Sequence, residues 1–372
     1  MLWLRRGLRI VNKSSATQTA YTICRVVIQS YLTACVRLCR YVAKLSMNST
    51  ANGSSGSWNC FTQLNHSTAW KIGGTVTYCL FIVVSLAANS LIVMIVYKTP
   101  NLRKPINYFI TNMALSDLLF PIFLIPWNLS RLHTTSLLIG GSLGQAFCKL
   151  VPFFGEVSIV VSIQNLILIA VDRFGAVVFP LRSPLIRSKL CPFFILATWI
   201  VAVAFNSPYL FTTEIVESLE GARCVSKWKK AFGESSSHAT FVLAYHSLFI
   251  YIPVLLLVIL YSIIFIKLKT QAHPGEQSTN NQRQRKRRNR NVLQMSIAIV
   301  TVFVLCWLPG SSNSLILRYH YSSTHFSCSF WIFYKVSIYM ANVYCAINPI
   351  ICFIFSSNYR KALKRLIKCS LV

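Results

Sequence analysis

Acidic residues are scarce in this chain. Its 372 residues hold eight Asp and Glu against 37 Lys and Arg, and residues charged at either sign make up only 12%. A soluble protein of this length needs about a quarter of its residues charged to cover its surface, so a multi-domain soluble architecture is excluded. With so few acids there are too few intramembrane carboxylates for an ion or proton relay. No inverted repeat with paired broken helices points to a transporter, and no motif implies a catalytic site, so an enzyme is not expected. The net charge of +29 invites a nucleic-acid reading, yet the basic residues sit beside apolar runs, not along a groove with interleaved aromatics. Membrane lipid with anionic head groups is the simpler partner, and no nucleic acid is expected.

Hydrophobic residues make up 54% of the chain. Apolar runs lie at roughly 72–97, 105–130, 147–171, 190–213, 239–266, 291–317 and 332–355. Each exceeds the ~20 residues that cross about 30 Å of hydrocarbon. Backbone polar groups in lipid must bond within their own segment, which forces helix. The expected fold is an all-α membrane protein: a seven-transmembrane helix bundle over 72–355, then a short amphipathic eighth helix and cytosolic tail over 356–372. Lys and Arg concentrate in loops 1, 3 and 5 and in the tail, including the run from Arg283 to Arg290 before the sixth span. The positive-inside rule therefore puts the C-terminus in the cytosol and residues 47–71 outside, as in a multi-pass protein of the plasma membrane.

Residues 1–46 fit this scheme poorly. They carry basic residues, no acid and no clean signal-peptide stretch, an atypical extension that translation from Met47 would remove. Segment 47–71 is rich in Ser, Thr, Asn and Gly and holds acceptor sequences at Asn48, Asn52 and Asn65, which read as a glycosylated extracellular tail. Chance is the competing reading, because Ser and Thr are abundant there.

Charges inside the runs each need a reason, since hydrocarbon disfavours them. Asp117 lies mid-way along the second run, where a helix–helix hydrogen bond and an ion or switch role are both open. Ser162 lies 14 residues after Cys148, about 21 Å along a helix, and Asn348 sits at similar depth on run 7. Asp117, Ser162 and Asn348 together offer hard oxygen ligands for a small cation, with sodium at Asp117 as the candidate metal. Arg173 lies about 37 Å beyond Cys148, at the inner surface, where Asp172 can pair with it.

These residues are identified as those of the rhodopsin-like (class A) G-protein-coupled receptors, and the resemblance covers all seven spans and the tail helix. It rests on Asn89 in Ala-Ala-Asn-Ser-Leu, Ala114-Leu-Ser-Asp117-Leu-Leu, Asp172-Arg173-Phe174, Trp199, Pro253 with Tyr261, Phe303-x-x-Cys306-Trp307-Leu308-Pro309 and Asn348-Pro349, in that order. Cys148-Lys-Leu-Val-Pro152-Phe-Phe, Asn107-Tyr-Phe-Ile-Thr-Asn, Pro126 and the compact third cytosolic loop resemble the neuropeptide Y, neuropeptide FF and tachykinin receptors.

The resemblance implies a disulfide between Cys148 and Cys224. It implies a sodium and switch set of Asn89, Asp117, Ser162 and Asn348, and transmission through Ile163, Pro253, Phe303, Trp307, Pro309 and Tyr261. G-protein coupling falls to Asp172, Arg173, Pro180 and Leu181, and lipidation to Cys369. An extracellular peptide, a heterotrimeric G protein, arrestin and receptor kinases are the implied protein partners. Sodium, as an allosteric ion, is the only candidate cofactor.

Glu156 lies below the pocket mouth, next to Gly155, which stands where amine receptors carry an aspartate. Glu214, Glu217, Glu220 and Glu234 crowd the second extracellular loop, where they either draw a cationic ligand or balance Arg223, Lys227, Lys229 and Lys230. Glu156, Glu214, Glu217 and Trp307 are the candidate ligand-binding residues, for a neuropeptide that is basic. A scavenger of the same fold that does not signal, and a receptor for an amine-like small molecule, are the competing functions. The scavenger is motivated by Cys352, which ends the Asn348-Pro349 motif where the family has a tyrosine. Intact Asp172-Arg173 and Pro180-Leu181 argue against it.

Overall fold

The computed structural model describes residues 67–134, 140–179, 185–218, 221–270, 280–320 and 326–370, with backbone alone at 218, 280–289, 320 and 367–370. The extension 1–46, the acceptor sites Asn48, Asn52 and Asn65, and Pro180, Leu181 and Glu220 lie outside the described residues.

Among the described residues, seven helices are long and apolar enough to cross a membrane. They are α1 (Thr68–Lys98), α2 (Pro105–His133), α3 (Gly141–Val178), α4 (Ser188–Thr212), α5 (His238–Thr270), α6 (Asn280–His320, spanning over Arg290–Tyr319) and α7 (Cys328–Phe355). The eighth helix, α8, covers Ser357–Ser370. Most outrun the apolar stretches that announce them, because polar caps extend helix past the hydrocarbon. Ser67 takes the Trp70 amide and starts α1 at Thr68, inside the segment expected to be tail. Ser327 does the same for α7 through Phe330.

Among the described residues the departure from an all-helical chain is one antiparallel hairpin, β1 (Thr213–Ser218) with β2 (Gly221–Ser226), which follows α4. Thr213 thus belongs to a strand and not to the fourth span. Gln145 of α3 clamps this hairpin: its Nε2 donates to the Thr213 carbonyl at 3.1 Å and its Oε1 accepts the Ile215 amide at 2.9 Å.

Proline shapes the spans by removing one helical hydrogen bond and crowding the carbonyl four residues before it. In α2 the carbonyl before Pro126 is that of Ile122, inside a π turn at Phe120–Leu124. In α5 the carbonyl before Pro253 is that of Phe249, inside a π turn at Ser247–Tyr251. The wider turn takes up the residue that cannot be bonded. In α7 Pro349 frees the Cys345 carbonyl, which is taken from α1 by Asn89 Nδ2 at 2.8 Å and Ser85 Oγ at 3.4 Å. A helix breaker on one span therefore creates the acceptor that ties it to another.

α3 runs through the middle of the bundle, packed against α2, α4 and α5, and α7 closes on α1 and α6. Close approach is enforced at Gly74, where a Cβ would lie 2.5 Å from Tyr339 Oη and 2.6 Å from a Leu132 methyl. The large apolar side chains left exposed, such as Phe193, Phe211, Leu255 and Phe265, project from α4 and α5 to the outside of the bundle, as lipid requires.

Asn112 joins three helices. Its Nδ2 donates to Asn165 Oδ1 on α3 at 3.1 Å and to Thr198 Oγ1 on α4 at 3.2 Å, and its Oδ1 accepts the Trp199 indole N–H at 2.8 Å. Replacing Asn112 by Leu leaves that N–H and the Asn165 oxygen without a partner in a dry interior. We expect Asn112→Leu to lose about 1–3 kcal/mol of stability, read as a lower melting temperature of the purified protein. In the background of Trp199→Phe the same change should cost less. Strict additivity of the two would mean that the tie is not energetically coupled.

Candidate functional site

The buried Asp117 carboxylate is the hub of the bundle. Ser162 Oγ of α3 donates to Oδ1 at 2.8 Å and Asn348 Nδ2 of α7 donates to Oδ2 at 2.9 Å. Ser116 Oγ lies 3.1 Å from Ser162 Oγ and donates to the Met113 carbonyl at 2.8 Å, and Ser158 Oγ donates to the Ser116 backbone carbonyl at 2.7 Å, so further serines of α2 and α3 surround the carboxylate. Asp117, Ser162 and Asn348 thus come together as the sequence suggests. Asn89 does not join them: its amide goes to α7 at Cys345, next to the hub, and its Oδ1 is buried with no hydrogen bond. Asn348 Oδ1 is likewise buried and without a partner. One carboxylate, two hydroxyls and an orphaned amide oxygen form a donor set that suits a small hard cation.

Above the hub stands an aromatic stack. Trp307 meets Phe120 of α2 edge-on at 5.7 Å, Tyr344 of α7 at 6.2 Å and Phe303, one turn away, at 6.3 Å. Phe303 also meets Tyr344 edge-on at 5.3 Å. The Trp307 indole N–H is buried with no acceptor. Ile163 and Phe303 are fully buried in the main core, and Pro253 is buried on α5. Pro309 lies inside α6 two residues past Trp307, where the helix lacks one bond.

Further along the bundle, Glu156 of α3 makes no ion pair among the described residues. The Tyr245 hydroxyl reaches its backbone carbonyl at 3.4 Å. Arg318 of α6 donates to His238 Nδ1 of α5 at 3.0 Å, and the His238 ring stacks on Trp228 at 4.8 Å. A disulfide joins Cys148, near the start of α3, to Cys224 on β2. Cys328 is also disulfide-bonded.

The loop glutamates split. Glu214 is held by Lys230 at 2.7 Å and Lys227 at 3.3 Å, which keep its carboxyl below the ordinary glutamate range. Glu234 pairs with Lys229 at 3.3 Å, while Glu217 is exposed on β1 opposite Ala222. Glu214 and Glu234 thus balance neighbouring lysines, whereas Glu156 and Glu217 have no ion pair among the described residues.

At the other end of the bundle the Arg173 guanidinium is paired with Asp172, Nε to Oδ2 at 3.0 Å, and the pair is largely sheltered. Tyr261 has a buried hydroxyl with no hydrogen bond, and Cys352 is fully buried in the core. α8 is locked beneath them. Tyr359 Oη donates to Asn107 Oδ1 at 3.2 Å, and Arg360 donates to the Phe353 carbonyl at 2.8 Å and to that of Ile354, capping α7. Cys369 lies in the last turn of α8, where only the backbone is described.

The family described as 7 transmembrane receptor (rhodopsin family) matches residues 88–352, most of the chain and every span from the end of α1 to the end of α7. The chain belongs to the rhodopsin family of seven-transmembrane receptors. Among the relatives of this receptor, the human Substance-K receptor is 25% identical over 80% of this chain and 74% of its own length. The RYamide receptor of Drosophila melanogaster is 27% identical, covering 78% of this chain and 63% of the relative. Neuropeptide Y receptor type 2 of Mus musculus is 27% identical, over 79% and 76%.

Several residues of the receptor's interior escape a reading of the sequence. Ser116 adjoins Asp117 and could have been found by proximity. Asn165 and Tyr344 carry no local signal, since an Asn or Tyr within an apolar run is also compatible with a lipid-facing or packing role. Arg318 and His238 are 80 residues apart, and nothing in their surroundings announces that they meet.

Proposed function

We propose that this receptor binds an extracellular peptide with cationic groups and, once bound, promotes nucleotide exchange on a heterotrimeric G protein. Loops 1, 3 and 5 and the tail, which carry most of the basic residues, face the cytosol in this reading, and the β1–β2 hairpin faces outward. The observation that carries it is Glu156. It is an acid inside the bundle, near Tyr245 and without an ion pair among the described residues, in a chain whose relatives are named for peptides. A desolvated carboxylate gains far more from a guanidinium or ammonium than one in water does. Glu217 adds an exposed negative charge at the rim, while the paired Glu214 contributes little steering. Glycosylation at Asn48, Asn52 and Asn65, acylation at Cys369, and docking of arrestin and receptor kinases on the cytosolic face complete the reading.

Signal passes from ligand to Trp307, whose rings interlock with Phe303, Tyr344 and Phe120, and moves α6 about the weak point at Pro309. Opening the cytosolic end frees Arg173 for the G protein. The test is GTP loading in membranes that contain the receptor, screened against a peptide library. A basic peptide should stimulate it, and Glu156→Gln should lower that peptide's potency by roughly tenfold to a hundredfold, the worth of one charge-assisted hydrogen bond of about 1.5–3 kcal/mol. A receptor that binds such a peptide at the surface but never loads GTP would instead be a scavenger.

The Asp117 hub is the place for a regulatory sodium ion, held by the Asp117 carboxylate, the Ser162 and Ser116 hydroxyls and the amide oxygen of Asn348. Its charge would hold α2, α3 and α7 together and so favour the resting state. Raising sodium at constant ionic strength should therefore weaken agonist binding in the parent receptor and leave Asp117→Asn unaffected. An equal response in both would remove the ion from the site.

Cys352 sets the activation equilibrium lower than a tyrosine there would. Without a phenol at this position, the Tyr261 hydroxyl has nothing to meet when α6 moves. One net hydrogen bond is worth about 0.5–1.5 kcal/mol, up to about a tenfold change in a two-state ratio. Cys352→Tyr, matched for surface level, should raise basal and agonist-driven GTP loading by up to about tenfold, and adding Tyr261→Phe should cancel the gain. Unchanged efficacy would separate Cys352 from activation.

A further inference from the structure

The surface between α5 and α6 contains a slot of about 530 Å³, walled by Leu257, Val258, Tyr261 and Phe265 on α5 and by Ile297 and Val300 on α6. α5 packs mainly on α3 and meets α6 only lightly, so the slot opens sideways, toward the bilayer. Phe265 and Ile266 on its rim are exposed. In a membrane such a space takes hydrocarbon, and the charges at its ends select which hydrocarbon.

Helical spacing supplies those charges. Val258, Ser262, Phe265 and Lys269 follow one another at intervals of four, three and four, a single face of α5. The same face that walls the slot therefore ends, about 6 Å beyond Phe265, in an exposed ammonium. On α6 Arg290 lies seven residues before Ile297, two turns along the same face, and is also exposed. Two cations thus follow the apolar walls beyond the same end of the slot, one on each helix. Neither α5 nor α6 carries an Asp or Glu anywhere along its length, so no carboxylate on these helices neutralises them.

We propose that this slot is a binding site for one anionic phospholipid, an acyl chain lying between α5 and α6 and its phosphate-bearing head group held by Lys269 and Arg290. With the orientation given above, the mouth opens on the inner leaflet, where anionic lipid resides. Lys269 reaches the phosphate by extending its stem along the apolar wall, as long basic side chains do at a bilayer surface. The Arg290 guanidinium supplies the paired donors that suit phosphate oxygens. The site is independent of the peptide ligand and of the Asp117 hub.

The test uses the full-length receptor in nanodiscs of phosphatidylcholine that contain a trace of phosphatidylserine with a photoactivatable group in its acyl chain. After irradiation the labelled peptides are mapped by mass spectrometry. Label should concentrate on residues 252–270 and 290–319 and be displaced by unlabelled phosphatidylserine. Lys269→Gln with Arg290→Gln should reduce it there at least threefold while labelling of the other helices stays constant. A second variant, Val258→Phe, fills the slot with the cations intact and should have the same effect. Both leaflets of the disc have one composition, so the outcome does not depend on which end of the bundle is cytosolic, and no peptide is needed. Label spread in proportion to lipid-facing surface would overturn the proposal. So would retention of label in the Gln variant, or equal concentration of a phosphatidylcholine probe in the slot, which would show a crevice without head-group selection.

Discussion

A carboxylate in hydrocarbon must be hydrogen-bonded by its own protein, and the interior of this receptor is arranged around meeting that demand for Asp117. No single helix can do it. Ser162 comes from α3 and Asn348 from α7, so satisfying one charge holds three spans at fixed rotation and depth. Leaving the charge unpaired would cost more than any one of these bonds contributes, which makes the arrangement hard to relax by small shifts. Movement in such a core is a change between alternatives, and a group that alters the demand at Asp117, such as a bound cation, alters which alternative is favoured.

The prolines follow the same logic. At Pro126, Pro253 and Pro349 a bond is deleted that lipid cannot replace, and the structure answers in two ways. In α2 and α5 the helix widens into a π turn and absorbs the defect locally. In α7 the freed carbonyl of Cys345 is handed to Asn89 and Ser85 on α1. The second answer turns a local weakness into a tertiary contact. It also places the missing bond of α7 directly beside Asn348 and Asp117, within a helix that otherwise runs unbroken from Cys328 to Phe355.

Charge is handled differently at the two ends. In the β1–β2 region Glu214 and Glu234 are consumed by nearby lysines, which leaves the half-buried Glu156 without an ion pair among the described residues. At the opposite end Asp172 engages Arg173, and Arg360 turns inward to cap α7. The basic residues that remain exposed there face lipid and solvent. The chain's large positive charge is therefore a property of its periphery, not of its core.

Hydropathy alone determined the seven spans, because hydrocarbon thickness and backbone satisfaction leave helix as the single solution for each long apolar run. Position along each helix also marked Asp117, Ser162 and Asn348 as residues of one depth, and the order of motifs identified the family. The β1–β2 hairpin, the polar ends added to most spans and the π turns were not legible, since they depend on caps and bond geometry that hydropathy does not record. Whether Glu214 or Glu156 has an ion-pair partner, whether Asn89 meets Asp117 or Cys345, and which side chains join Asn112 were decided only by tertiary structure. Those outcomes turn on distances between residues far apart in the chain, and a sequence carries depth and periodicity along each helix but not the rotation of one helix against the next.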